Sequence, residues 1–560
     1  MAAIRKVLPL PLVLLGIGGL ALVFSESVFQ SKHNLSISGP GTVTAATEGE
    51  VCIFCHTPHN AGAEAPLWNR FSSGSLYQTY SSSTAIAAVG QPSGASKLCL
   101  SCHDGTVALG MVRSRPEEIA FPSGRTMPPG VSNLGTDLSD DHPVSFTYDR
   151  QLYLQHGELS DPALLTGAVK LDRTGQLQCT SCHDPHDNRY GKFLVAPNQN
   201  SALCTACHAP GGWVGAVHRT SGATWNGLPP DPWPRTEESS VSANGCESCH
   251  RPHQAQAPQR LMSFPLSESG CLSCHSGNVA SGNLAADFGK LSAHPVAVTE
   301  LHDPQEDPVN PPRHVECVDC HNPHAATAGG SEAPYASGAL KGVRGVGAAG
   351  NPVAEVSLEY ELCFRCHADS TARGASLVSR QFNQTNTRLE FSPANLSTHA
   401  VLGPGANPNV PSLLAPYTPS SILSCTDCHN SNSSPAAGGT GPNGPHGSLY
   451  RPILARQFAF ADGSTESSAN YALCYKCHSR SSILANNSFK HHQKHLSAKA
   501  SCSTCHDPHG VQSAPHLINF NTQVVSPSSG GRLEFVDRGT SSGSCYLTCH
   551  GKNHNPLSYP

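Results

Sequence analysis

The chain has 560 residues, 38% hydrophobic and 13% charged against ~45–50% and ~25% in ordinary globular domains, with 51 glycines and 45 prolines. Those proportions exclude a conventional side-chain core of the size such a length would normally build, and a formal charge of −5 excludes a nucleic-acid binder, which needs a basic stripe. What the chain holds in excess is ligand chemistry, with 24 cysteines and 31 histidines.

In chain order, residues 1–30 read as an export signal: Arg5 and Lys6 precede an apolar run from Val7 to Phe24, and Val23-Phe24-Ser25 is the cleavage candidate. Pro9, Pro11 and three glycines inside the run favour removal over a permanent anchor. The expected destination is the periplasm, the outer membrane surface or the extracellular space.

Beyond the signal, C-x-x-C-H recurs at Cys52/Cys55/His56, Cys99/Cys102/His103, Cys179/Cys182/His183, Cys204/Cys207/His208, Cys246/Cys249/His250 and Cys271/Cys274/His275. It continues at Cys317/Cys320/His321, Cys363/Cys366/His367, Cys425/Cys428/His429, Cys474/Cys477/His478 and Cys502/Cys505/His506. A twelfth copy, Cys545/Cys549/His550, has one extra spacer residue, and the twelve copies use every cysteine in the chain. A single copy would be compatible with a redox dithiol or half a zinc site. Zinc needs two cysteine pairs, or cysteines with distant histidines, and neither it nor a disulfide scaffold demands a histidine directly after every second cysteine, so the closed cysteine count points to covalent haem c, twelve in all. Two thiols at this spacing reach one porphyrin edge as thioethers, and the next imidazole meets the iron from one face.

A sixth ligand must come from elsewhere. Besides Met1, only Met111, Met127 and Met262 are available, so most second ligands must be histidines, and 19 lie outside the motifs. Five first-of-pair motifs read C-x-x-C-H-x-P-H, which nominates His59, His186, His253, His324 and His509; the Cys425 motif lacks that extension but precedes Gly-Pro-His446. Upstream of each pair stand His33, His142, His218, His294, His399 and His495. His56 and His59 are too close in sequence to approach one iron from opposite faces, so His59 is expected on a neighbouring iron, and likewise for each x-P-H copy, making every unit a cross-braced pair. His156, His302, His314, His491, His492, His516 and His554 are left as spares.

These features resemble the multihaem c-type cytochromes of the doubled C-x-x-C-H class, including the dodecahaem proteins of metal-respiring bacteria. The resemblance covers His33 to His550 and implies an exported electron carrier. Implied partners are other redox proteins, outer-membrane porin-cytochrome complexes or metal oxides, with a homopolymer also open and no nucleic acid. The expected fold is haem-cored, mostly irregular loop with short α-helices and little β, in six tandem dihaem modules at 31–115, 140–215, 216–285, 290–375, 395–485 and 488–560. The duplicated Arg-Leu-Glu-Phe at 388–391 and 532–535 is expected as small strand pieces.

The expected role is long-range electron transfer through bis-histidine haems, without catalysis at any iron, in respiration to extracellular or metal acceptors. Two alternatives are a multihaem reductase of nitrite, hydroxylamine or a sulfur oxyanion, which needs an open iron, and a cytochrome filament in which a terminal histidine such as His33 completes a neighbour's haem.

Overall fold

The computed structural model describes residues 27–62, 65–165, 167–236, 238–296, 306–312, 314–371, 376–405 and 407–559. The export-signal reading, apart from its last few residues, and His302 lie outside the described residues.

Regular structure is sparse because the sequence keeps interrupting it with turn formers. Among the described residues the longest helix, Gly94–His103, has ten residues, and most strands are two-residue ladders. What repeats instead is a single turn. In eleven motifs the chain makes one turn of α- or 3₁₀-helix around the first cysteine. The histidine N–H closes it on that cysteine's carbonyl at 2.8 Å in His56, His250 and His429 and at 2.9–3.0 Å in His183, His208, His275, His321, His478 and His506. His103 and His367 end longer helices, Gly94–His103 and Glu359–His367. Three residues apart on a helical turn is the spacing that puts two side chains on one face, so the motif dictates its own local fold.

Among the described residues the one extended sheet is C-terminal. Strands β1 (Val525–Ser526) and β2 (Glu534–Asp537) pair in succession with β3 (Gly543–Cys549), which also pairs with β4 (Lys552–Tyr559), all antiparallel. The second Arg-Leu-Glu-Phe copy enters β2, whereas the first lies in and just after a helical turn, Thr387–Glu390, so the strand expectation fails for residues 388–391. There Asn386 accepts from the Arg388 N–H and starts a helix in place of an extended segment.

Apolar packing is local. Small clusters such as Ile53/Phe54/Val112, Phe146/Tyr148/Leu177, Tyr360/Phe364/Phe391 and Phe520/Val525/Leu547 each stay within a short stretch of chain. The chain exposes 29,537 Å², against ~19,000 Å² for a compact protein of its 58.7 kDa. Side-chain burial alone therefore does not close this structure into one core. Among the described residues no helix is long and apolar enough to cross a membrane.

Polar joints tie successive segments together. The fully buried Arg70 guanidinium donates to Ser101 Oγ and to the carbonyls of Ser101, Ala108 and Leu109, fastening the first motif to the second. Three residues before the second motif of a unit, Ser96, Ser201 and Glu268 accept from the N–H of the next unit's first cysteine, Cys179, Cys246 and Cys317, at 3.0, 2.7 and 3.4 Å. Glu359 does the same for Thr426.

Candidate haem-binding sites

The eleven turns present their histidines to other histidines. Among second-of-pair motifs, His103 faces His33, His208 faces His142, His275 faces His218, His367 faces His294 and His478 faces His399. Among first-of-pair motifs, His56 faces His186, His183 faces His253, His250 faces His324, His321 faces His446, His429 faces His509 and His506 faces His492. Ring centres in these pairs are 6.0 to 6.4 Å apart. That is the separation, ~6 Å, produced when each ring gives one nitrogen at ~2 Å to a metal lying between them. With two thiols beside one ring of each pair, the residues fit a covalently held haem.

The rings are also chemically prepared. Nδ1 of His103, His183, His250, His321, His429 and His506 pairs with the backbone carbonyl of Ser132, Lys192, Arg260, Ala339, Pro452 and His516, leaving Nε2 for the metal. Burial, then repulsion from the facing ring, lowers His275, His324, His367, His429, His446 and His478 to about 4. The same two causes take His208 and His492 to about 3. Neutral imidazoles, the ligating form, are thus held well below pH 7. No disulfide is formed by any of the 24 cysteines.

Two features depart from the expected bracing. The upstream histidines serve the second motif of their own unit, but each Pro-His histidine reaches back to the first motif of the preceding unit, so the brace runs between units and not within them. The proline takes part as well. The Pro185, Pro323 and Pro445 carbonyls accept from Nδ1 of His33, His218 and His294 at 3.2, 3.0 and 2.8 Å, and Pro508 accepts from His399. Pro252 accepts instead from the His142 backbone N–H at 2.7 Å. One Pro-His dipeptide therefore places a ring opposite one proximal histidine and anchors the ring, or in one case the backbone, facing another. Gly-Pro-His446 supplies the same dipeptide from a longer loop, which is why the Cys425 unit manages without the short extension.

The second departure concerns the chain ends. His492, a spare by sequence, faces His506, and the His491 carbonyl accepts from His495 Nδ1 at 2.8 Å. His492 thus takes at the last unit the place of a Pro-His histidine, while the His491 carbonyl holds a ring that faces no proximal histidine among the described residues. His59 is exposed and no ring among the described residues faces it. Helical i, i+3 spacing from His492 to His495 was the legible signal for the first substitution.

The twelfth motif is built differently. Cys545 and Cys549 both lie on β3, where four residues of strand span ~13 Å against ~5 Å for three of helix. The ladder shifts register between Cys545 and Leu547, but both cysteines remain strand-paired. His550 Nε2 bonds Asp462 Oδ2 at 2.8 Å, and no described ring faces it as the other proximal rings are faced. As folded, these residues do not form the grip made by the other eleven, so of the twelve haem sites expected the Cys545 copy, already set apart by its extra spacer residue, is the exception.

Thiols mark the spatial order. Cys99 meets Cys179, Cys204 meets Cys246, Cys271 meets Cys317, Cys363 meets Cys425 and Cys474 meets Cys502, always from a second motif to the next first motif. Within units the second cysteines are near one another, as Cys55 is to Cys102, Cys182 to Cys207 and Cys249 to Cys274.

Residues 173–212 and 239–280 match the family described as the doubled CXXCH motif. A stretch of 162 residues, 27% of this chain, is 30% identical to the multiheme cytochrome MtrA of Shewanella baltica (strain OS185). The match covers 36% of that relative, so the chain spans about a third of its length. These likenesses support a multihaem c-type cytochrome that takes part in electron transfer and carries covalently bound haem c.

Proposed function

We propose that the chain is a linear electron conductor holding eleven bis-histidine haems in the order of their motifs. The observation that carries the proposal is the unbroken series of eleven facing imidazole pairs joined by thiol-to-thiol contacts. Haem iron, when bound, supplies a reversible one-electron step. The protein supplies everything else: two imidazoles close both faces of each iron to substrate, burial holds rings such as His208, His275, His367 and His429 neutral, and carbonyls or carboxylates orient many of them.

Five of the six tandem units repeat one bracing scheme, and the sixth closes its first site with its own His492. Export to the periplasm or cell surface, respiration to an extracellular or metal acceptor, and docking to redox proteins, porin-cytochrome complexes or metal oxides follow the resemblance and remain part of this reading. A reductase would need an iron open on one side, and the eleven facing pairs leave none among their sites. The filament reading loses the residue it relied on, because His33 already faces His103.

A pyridine haemochrome assay with intact mass is expected to give eleven covalent haems, and electron paramagnetic resonance to show only low-spin ferric signals. A count of twelve would overturn the reading of β3, and carbon monoxide binding to a stoichiometric share of reduced haem would overturn the conductor in favour of a reductase.

A further inference from the structure

We propose that Arg70 is a fixed positive charge that raises the potential of the haem site at Cys99 and makes that site the place where electrons collect beside the Cys179 site. The inference rests on the bis-histidine reading above and deepens it.

Among the described residues four motif turns take a cation onto a backbone carbonyl between their cysteines. Arg70 donates to the Ser101 carbonyl at 3.0 Å, Lys476 to that of Asp427 and Arg380 to that of Ser503 at 2.8 Å each, and Arg365 to that of Asp319. Three of these cations are answered by a carboxylate. Arg365 meets Asp319 Oδ1 at 3.4 Å, Lys476 meets Asp427 Oδ1 at 3.2 Å and Arg380 meets Asp507 Oδ2 at 3.5 Å. Arg70 differs from all three. It is fully buried, its four acceptors are neutral oxygens, and no carboxylate among the described residues pairs with it. Asp104, just past the motif, accepts instead from the Tyr77 hydroxyl and the Thr106 N–H at 2.7 and 2.8 Å.

Burying a cation without a counter-charge is costly. Part of that cost is offset because the Ser101 carbonyl belongs to the last turn of the helix Gly94–His103, the end at which a helix favours positive charge. The charge itself is not cancelled, and it is felt at the site: burial lowers His103 below its ordinary value, and Arg70 adds to that lowering. In surroundings of low dielectric a positive charge favours the oxidation state that holds the extra electron.

The neighbouring site carries the opposite sign. His253, whose ring faces His183, sets Nδ1 on the buried Asp141 carboxylate at 2.9 Å, and Cys179 of that site meets Cys99. An electron shared by the two sites is therefore drawn toward the Cys99 turn, one site giving it up as the other gains it, with no proton or bond exchanged.

Potentiometric titration of the holoprotein, followed in the Soret band, tests the charge. Arg70→Gln should lower a component by on the order of tenfold in its one-electron equilibrium, about 59 mV, whereas Arg70→Lys should keep it. The component lowered by Arg70→Gln should also lie above the one raised by Asp141→Asn. An unshifted titration, an equal shift in both Arg70 variants, or the reverse order of the two components would overturn the inference. Should Arg70→Gln fail to take up haem, Ser101→Asp serves in its place, because it copies the position of Asp319 and Asp427 in their motifs and gives the guanidinium a carboxylate. It should lower a component likewise, and unchanged potentials would overturn the inference. Absence of low-spin signals in the unmodified holoprotein would instead defeat the bis-histidine reading itself.

Discussion

Individual side chains set how each iron site behaves. Half of the axial rings rest on neutral carbonyls, but His253 Nδ1 meets the buried Asp141 carboxylate at 2.9 Å and His509 Nδ1 meets buried Glu390 at 3.0 Å. Burial works to lower His509, yet the Glu390 bond leaves it raised overall. A carboxylate partner makes an imidazole a stronger donor and favours ferric over ferrous iron. Asp141→Asn and Glu390→Gln should therefore each raise one potential, at the Cys179 and Cys425 sites respectively, by on the order of 50 mV, about tenfold in a one-electron equilibrium. Spectroelectrochemical titration would resolve this as loss of the lowest-potential component. The remaining lowered histidines predict the acid response. An unfolded chain protonates them near the ordinary 6.5, whereas the folded one resists down to about 4 for His275, His367 and His478. Stability should hold above pH ~6.5 and fall between ~6.5 and ~4 as the unfolded state takes up protons alone. His509 runs the other way, its contribution fading as pH rises through its folded value. Soret absorbance across an acid titration checks the window.

At the level of turns and strands, the motif is readable because it folds itself: cysteines three apart and a closing histidine make a helical turn wherever they occur. One more spacer residue removes that coincidence, and the Cys545 copy is absorbed into β3 instead. Native holoprotein treated with a thiol alkylator should therefore be labelled at Cys545 and Cys549 alone, as peptide mapping would show. Proximal histidines and the turns that carry them were thus legible as a pattern. Partners across space were not. The x-P-H spacing implies a different iron, but nothing local says whether the chain turns back to its own unit or to the one before. His492 was missed for a related reason: it differs from Pro-His in sequence while occupying the same place. Glu390 was hidden inside Arg-Leu-Glu-Phe, where the residues looked structural. The fold places it on His509 and sets Phe391, tilted by 49°, against the same ring at 5.1 Å between centres.

Among the described residues the chain forms small clusters linked by polar joints, with no shared apolar centre. About 45 residues accompany each site, near the size below which a polypeptide needs metals or cross-links to hold its shape. Chain produced without haem attachment should consequently be unfolded, and hydrogen exchange should find no protected amide core. Protection extending across several units would contradict this.

The backward reach of each Pro-His dipeptide makes the row indifferent to its own length. Excising residues 216–285 would bring His324 to the ring of His183 and Pro323 to His142, so no surviving iron would lose a ligand. Growth or shortening by whole repeats leaves every internal partnership intact and burdens only the two termini. Such a protein can change how far it carries charge through simple duplication, without reinventing a single coordination sphere.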